Sequence, residues 1–277
     1  MPRRPQGSAS RITFDPKLMA SICALPGNGK TEFGAGCPGP IEYFTVDSNT
    51  AEILIKHQDT KDIRLHSYIM PPVTFGDIDT DQGRYDIKTL AQATLDALVQ
   101  DIRPILAGTS GARTVVLDTA TEFFELALLA DHGKAVQILP EMRTKTNYKW
   151  KSFLQALKGS GCHVILLHLL GPKYESRTTK VQGGPPREER VQVPGEYDRR
   201  GFSQTQKEVN VEAFIHRDLD RGDGDLEDQF GIQIVKCNPR PLLTGKQYWG
   251  RKKIGRAASF QYLASKLYPE IDDWETR

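Results

Sequence analysis

The segment from Ala24 to Thr31 reads ALPGNGKT and follows the apolar run Met19 to Leu25. Glycines here let backbone N–H groups turn inward around an anion, a lysine reaches the outer phosphates, and a hydroxyl residue holds a divalent cation; this is the logic of the phosphate-binding pattern G-x-x-x-x-G-K-[ST]. Gly29, Lys30 and Thr31 fit that pattern, and Ala24 stands where its first glycine belongs. One extra methyl is tolerated at a strand end if φ stays negative, because Gly27 and Gly29 still cover the turn that must approach phosphate. The expected nucleotide contacts are Pro26, Gly27, Asn28, Gly29, Lys30, Thr31 and Glu32. The alternative is a Gly/Pro turn that contains a lysine.

A second piece of chemistry sits in Arg113 to Thr119, RTVVLDT, where three apolar residues end in Asp118. So dense a run is expected of a parallel strand covered on both faces. An acid at the end of such a strand orients Mg²⁺ and its waters in phosphate-loop enzymes. Thr31 and Asp118 are therefore the expected Mg²⁺ pair. Asp118 reads equally as a strand-ending cap for the helix that TATEFFELALL predicts; the pairing with Lys30 and Thr31 favours the metal.

Composition bounds the rest. With 277 residues, 38% hydrophobic and 26% charged, the chain can bury one sizeable core. A net charge of +2 does not mark a strongly basic nucleic-acid binder, so any such surface is local. Cys23, Cys37, Cys162 and Cys237 are widely spaced without a C-x-x-C pair, which suggests neither zinc nor a disulfide framework and points to a reduced, cytoplasmic compartment. The N-terminal MPRRPQGSAS has no apolar stretch behind it, and no run approaches the ~18 apolar residues that span a membrane.

Strand-like and helix-like segments alternate as an α/β sheet requires. Strands are expected at Leu18 to Leu25, Ile41 to Asp47, Ile63 to Ile69, the Asp118 segment, and Cys162 to Leu170. Helices are expected to start at Lys30 and at Asn49, and over Asp86 to Leu106, Thr121 to Ala130 and Tyr148 to Lys158. At least one complete strand separates the lysine strand from the aspartate strand.

This order of a phosphate loop, VDSNT (Val46 to Thr50), VVLDTATEF (Val115 to Phe123), FLQALKGSG (Phe153 to Gly161) and VILLHLLGP (Val164 to Pro172) resembles RecA-like ATPases. It looks closest to small phage-encoded versions, nucleotide-binding proteins of AAA type that work in recombination or single-strand annealing. The resemblance covers about Met19 to Trp249. It implies a RecA-like P-loop core with a central, mostly parallel sheet flanked by helices, plus a C-terminal β-hairpin and helix. It also implies ATP and Mg²⁺ as ligands, a homo-oligomer on single-stranded DNA, phage recombination or replication proteins as partners, and the cytoplasm of a bacterial host.

Two positions depart from that pattern. RecA-like enzymes carry a catalytic glutamate two residues after the aspartate of the strand that follows the phosphate loop, and here that position is Asn49. An amide orients water but cannot take its proton. Slow hydrolysis follows, or another acid serves: Asp47, or Glu122 in the first turn after Asp118, which also reads as a helix-dipole acid. The second departure is His168, where the family places a glutamine that senses the γ-phosphate. A neutral imidazole there donates one hydrogen bond, or is simply a core histidine at a strand terminus.

Gly171 to Lys207 has few large aliphatics, four prolines and eight Lys/Arg against five acids. It is expected to be a mobile loop, and in the family such a loop contacts DNA, here through Arg187, Arg190, Arg199 and Arg200. A solvated insertion is the other reading. Glu208 to His216 and Gln229 to Lys236 are two expected strands around RDLDRGDGDLED, a turn that fails the calcium-loop pattern. By the resemblance, Lys236 and Arg240 are candidates for reaching the ATP of an adjacent subunit. The basic run WGRKKIGR (Trp249 to Arg256) is a phosphate patch or a connector, and a helix follows around Ala258 to Leu267. The expected organisation is a tail over 1–17, an ATPase core over 18–170, the basic loop over 171–207, and strands and a helix over 208–277 that complete the core. The leading expectation is a DNA-associated Mg-ATPase. A P-loop ATPase acting on a protein partner, such as a loader or packaging accessory, and an ATP-binding assembly module with little turnover are the alternatives.

Overall fold

The computed structural model describes residues 16–74, 76, 80–136, 138–179, 187–218, 229–250 and 256–274. Its strands are β1 (Met19–Ala24), β2 (Ile41–Thr45), β3 (Ile63–Ser67), β4 (Thr114–Asp118), β5 (His163–Thr179), β6 (Arg187–Arg199), β7 (Val211–Arg217), β8 (Phe230–Cys237) and β9 (Gln247–Trp249). They form a nine-stranded sheet in the order β3-β2-β4-β5-β1-β7-β8-β9, with β6 pairing off β5. β1 to β5 and β7 run parallel, and β8 and β9 close the sheet antiparallel. The fold is α/β, with a central, mostly parallel sheet flanked by helices.

Alternation along each strand divides the core. Val116, Ile165 and Ile22 face one side, where α1 (Lys30–Ala35) contributes Phe33 and α7 (Phe260–Leu267) contributes Phe260 and Leu263. Val115, Leu117 and Leu166 face the other, under α3 (Asp81–Leu106), α4 (Ala120–His132) and α5 (Pro140–Gly159). A strand buried on both faces needs an unbroken apolar run, and that is why β1 and β4 are buried at every position. The short helices α2 (Thr50–Leu54) and α6 (Thr205–Glu208) tie connections to this frame. Among the described residues, no helix is long and apolar enough to cross a membrane, and the four cysteines are buried and form no disulfide.

Several expected bounds change: α3 starts at Asp81 rather than Asp86, and β7 starts at Val211, with Glu208 ending α6. α5 starts at Pro140, eight positions before the expected Tyr148. Thr146 is the only residue of its first two turns that is buried, so no apolar stripe announces them, although proline in the first helical turn does. The largest change is at 171–207, expected as a loop. β5 continues past the sheet, and β6 folds back on it as an antiparallel arm, from Leu170↔Arg199 to Thr179↔Arg187, with a register shift between Pro172 and Tyr174. Most described arm residues beyond Leu170 are exposed or half-buried, so the arm lacks the apolar alternation by which a strand with one buried face is recognised. The acidic turn, apart from Arg217 and Asp218, and the basic residues Arg251, Lys252 and Lys253 lie outside the described residues.

Candidate phosphate-binding site

β1 and β4 run parallel, so Ala24 and Asp118 end at the same edge of the sheet, where open α/β sheets place their ligand crevices. β5 lies between them. A cleft of about 660 Å³ opens at this edge, within the ~300–1,000 Å³ usual for small-molecule sites. Its floor is the predicted loop: Pro26, Gly27, Gly29, Lys30, Thr31 and Glu32 all line it. Gly27 and Gly29 take φ of 77° and 82°, the left-handed region that a side chain would strain. Asn28 closes the turn, its N–H donating to the Leu25 carbonyl at 3.3 Å.

The sequence-predicted metal pair meets. Thr31 Oγ1 donates to Asp118 Oδ2 at 2.9 Å, and Tyr43 Oη donates to the same oxygen at 2.8 Å. Burial raises the Asp118 pKa, and these two hydrogen bonds and the Lys30 charge oppose the rise. Lys30 is buried, and its ammonium donates to the carbonyls of Ala24 at 3.3 Å and Leu25 at 3.4 Å. Burial lowers its pKa, with Asp118 the first group to resist. A carboxylate beside a hydroxyl is a hard oxygen pair suited to Mg²⁺, which takes one or two protein ligands and fills the rest with phosphate and water.

The remaining candidates divide. Glu122 lines the cleft on the first turn of α4; Thr119 Oγ1 donates to its carboxylate at 2.7 Å and accepts from its N–H at 3.3 Å. Asp47 lines the cleft too. Asn49 does not: it is exposed at the start of α2, and its N–H donates to Asp47 Oδ1 at 2.9 Å. His168 is buried behind the cleft wall, with Nδ1 3.3 Å from Thr121 Oγ1, while its neighbour Leu169 lines the cleft. Burial, then the charge of Arg199, holds its pKa well below the usual imidazole range, which keeps the ring neutral.

Arg199, expected on DNA, is instead inside the fold. Its Nε donates to Glu212 Oε1 at 2.8 Å and one Nη to the Phe202 carbonyl at 2.8 Å, and both side chains of the ion pair are under a tenth exposed. A guanidinium at the root of a two-stranded arm can reach β7, and burial there makes that ion pair structural. Arg190 and Arg200 are exposed, Arg200 lying over Gly171, and Arg187 opposes Thr179 near the end of the described arm. The trans-acting candidates sit at the far edge. Lys236 pairs with Glu212 near the start of β7, and its ammonium donates to the carbonyls of Gln206 and, at 2.9 Å, Val209. Arg240 follows at that same edge and donates to the Lys266 carbonyl at 3.4 Å. Both are therefore remote from the phosphate loop of their own chain.

The sequence reading did not assign to this site Tyr43, which holds Asp118 from outside the cleft lining, nor Arg217, Phe230 and Arg256, which line the cleft. Tyr43 was legible as the middle of β2, which pairs directly with β4. The other three come from distant segments, and no spacing rule joins them to Lys30. No family model and no curated protein sequence matches the chain. Among solved structures, a crystal structure of the RadB recombinase aligns with a TM-score of 0.42 at 10% sequence identity, covering 85% of this chain and 87% of that chain.

Proposed function

We propose that the protein is a RecA-like ATPase that binds Mg-ATP in the cleft at the end of β1 and acts on single-stranded DNA, in recombination or annealing of the phage type. The observation that carries this reading is the 2.9 Å contact between Thr31 and Asp118, made beside the buried ammonium of Lys30. The strand β5 between the lysine strand and the aspartate strand supports it, because RecA-like proteins are built with that insertion. Backbone N–H groups of the loop and Lys30 hold the phosphates; Lys30 exchanges two long carbonyl contacts for them. Thr31 and Asp118 would hold Mg²⁺, which supplies charge neutralisation at the β/γ-phosphates. The proton of an attacking water goes to a cleft-wall carboxylate, Asp47 or Glu122, since the Asn49 amide is outside the cleft and cannot accept it.

The arm supports the DNA half of the proposal. It leaves the sheet at the edge that carries the phosphate loop, and it exposes Tyr174, Tyr197 and Arg190, side chains able to stack on bases and pair with phosphates. A homo-oligomer along the strand follows from the same reading. The test is Mg-ATP turnover with and without single-stranded DNA. Stimulation by DNA is expected. Turnover indifferent to DNA would move the partner to a protein, and binding without turnover would leave an assembly module.

A further inference from the structure

On the β7 side of the phosphate loop lies a layered group of side chains that neither the phosphate chemistry nor the metal pair uses. Phe230 opens β8 and pairs with Arg217, the last residue of β7, so both stand at the loop's edge of the sheet. The ring is buried, with the guanidinium carbon of Arg256 4.4 Å from its centroid and that of Arg217 at 5.3 Å. Arg256 also covers Gly29, where any Cβ would collide with its guanidinium. Its backbone is fixed: Ser259 Oγ donates to the Arg256 carbonyl at 2.9 Å while accepting the Tyr262 N–H at 3.3 Å as the cap of α7. All three residues line the cleft.

Strand order decides which end of a nucleotide meets them. Thr31 and Asp118 mark the metal end, on the β4 side of β1, and β7 and β8 lie on the other side. A triphosphate laid from Thr31 and Asp118 across the loop therefore leaves its nucleoside toward Arg256. A planar guanidinium held against an aromatic ring stacks well on a second π-face. We infer that Arg256, layered on Phe230, is the nucleobase platform of this cleft, selecting its ligand by stacking area rather than by a hydrogen-bond pattern. The substrate class is then purine nucleoside triphosphates, ATP and GTP alike, over pyrimidine ones. This rests on the cleft binding nucleotide as proposed above.

Calorimetric titration of the full chain with the Mg²⁺ complexes of ATP, GTP, CTP and inorganic tripolyphosphate tests it, using wild type, Arg256→Ala and Arg256→Lys. Wild type should bind ATP and GTP with similar affinity and CTP several-fold more weakly. Both variants should bind ATP and GTP about tenfold more weakly, the scale of a single base stack, and keep tripolyphosphate affinity, which also certifies the fold. Equal losses for tripolyphosphate and ATP would overturn the proposal by assigning Arg256 to phosphate. So would unchanged ATP affinity in Arg256→Ala, or a wild-type preference for ATP over GTP beyond about tenfold. A wild-type protein that bound neither ATP nor tripolyphosphate would overturn the phosphate-site reading itself, a failure distinct from a loss confined to base-bearing ligands.

Discussion

At the end of β4 the buried carboxylate of Asp118 is held by two hydroxyls, Tyr43 at 2.8 Å and Thr31 at 2.9 Å, whereas at the root of the arm the buried carboxylate of Glu212 is held by the Arg199 guanidinium at 2.8 Å. Neutral donors satisfy a carboxylate without cancelling its charge. Burial accordingly raises the Asp118 pKa, and a cation arriving in the cleft finds a carboxylate that only hydroxyls and the neighbouring Lys30 attend. Glu212 meets its countercharge within the chain, so it has a structural task, tying β6 to β7. The difference teaches how to sort buried acids: by whether their partners are exchangeable hydroxyls in a cleft or a guanidinium inside the core.

The largest effect should come from breaking the closed pair. Arg199→Ala leaves Glu212 charged, buried and unmatched, and should cost about 3–5 kcal/mol in urea unfolding. Replacing both partners, Arg199→Met with Glu212→Leu, should recover most of that loss because no orphaned charge remains. A single variant within ~0.5 kcal/mol of wild type, the size of an ordinary surface substitution, would place Arg199 among the surface arginines after all.

Asp118→Asn should act in the opposite sense on the bare protein. A carboxyl whose folded pKa is raised contributes stability below its unfolded pKa and loses it as pH rises through the folded value. At neutral pH the asparagine variant should therefore be at least as stable as wild type, and the gap should narrow or reverse on acidification. Its nucleotide binding should no longer depend on Mg²⁺. Unfolding curves at mildly acid and neutral pH, with calorimetry with and without Mg²⁺, check both; a variant destabilised at neutral pH would show that Asp118 is a structural acid like Glu212.

A smaller effect is expected at the arm. Neutralising Arg187, Arg190 and Arg200 together, with Arg199 left in place, should flatten the salt dependence of single-strand binding by up to ~2.1 in the slope of log K against log salt, about 0.7 for each phosphate no longer neutralised. Nucleotide binding should not change. An unchanged slope would give the arm to solvent or to a protein.

The loop and the Asp118 strand were legible because each is written locally, a spacing in one case and an apolar run with a terminal acid in the other. The sheet followed from those runs. The arm was not legible, since a two-stranded ribbon exposed on both faces carries no hydrophobic period. Its anchor was hidden for a different reason: Arg199 in a basic stretch reads as a surface charge until Glu212, on another strand, is brought beneath it. Arg256 was seen only as part of a basic run. Its place over Gly29 and Phe230 depends on α7 docking across α1, where Gln261 donates to the Gly36 carbonyl.

The central claim is that the cleft at the end of β1 holds a Mg-nucleotide through Lys30, and the shift in melting temperature on adding Mg-ATP, in wild type and in Lys30→Ala, tests it most directly. At ~100 times the dissociation constant, binding should stabilise wild type by about 2.7 kcal/mol. The account predicts that this shift requires Mg²⁺ and disappears in Lys30→Ala, whose ligand-free melting temperature stays near that of wild type. An equal shift in the two proteins would contradict it.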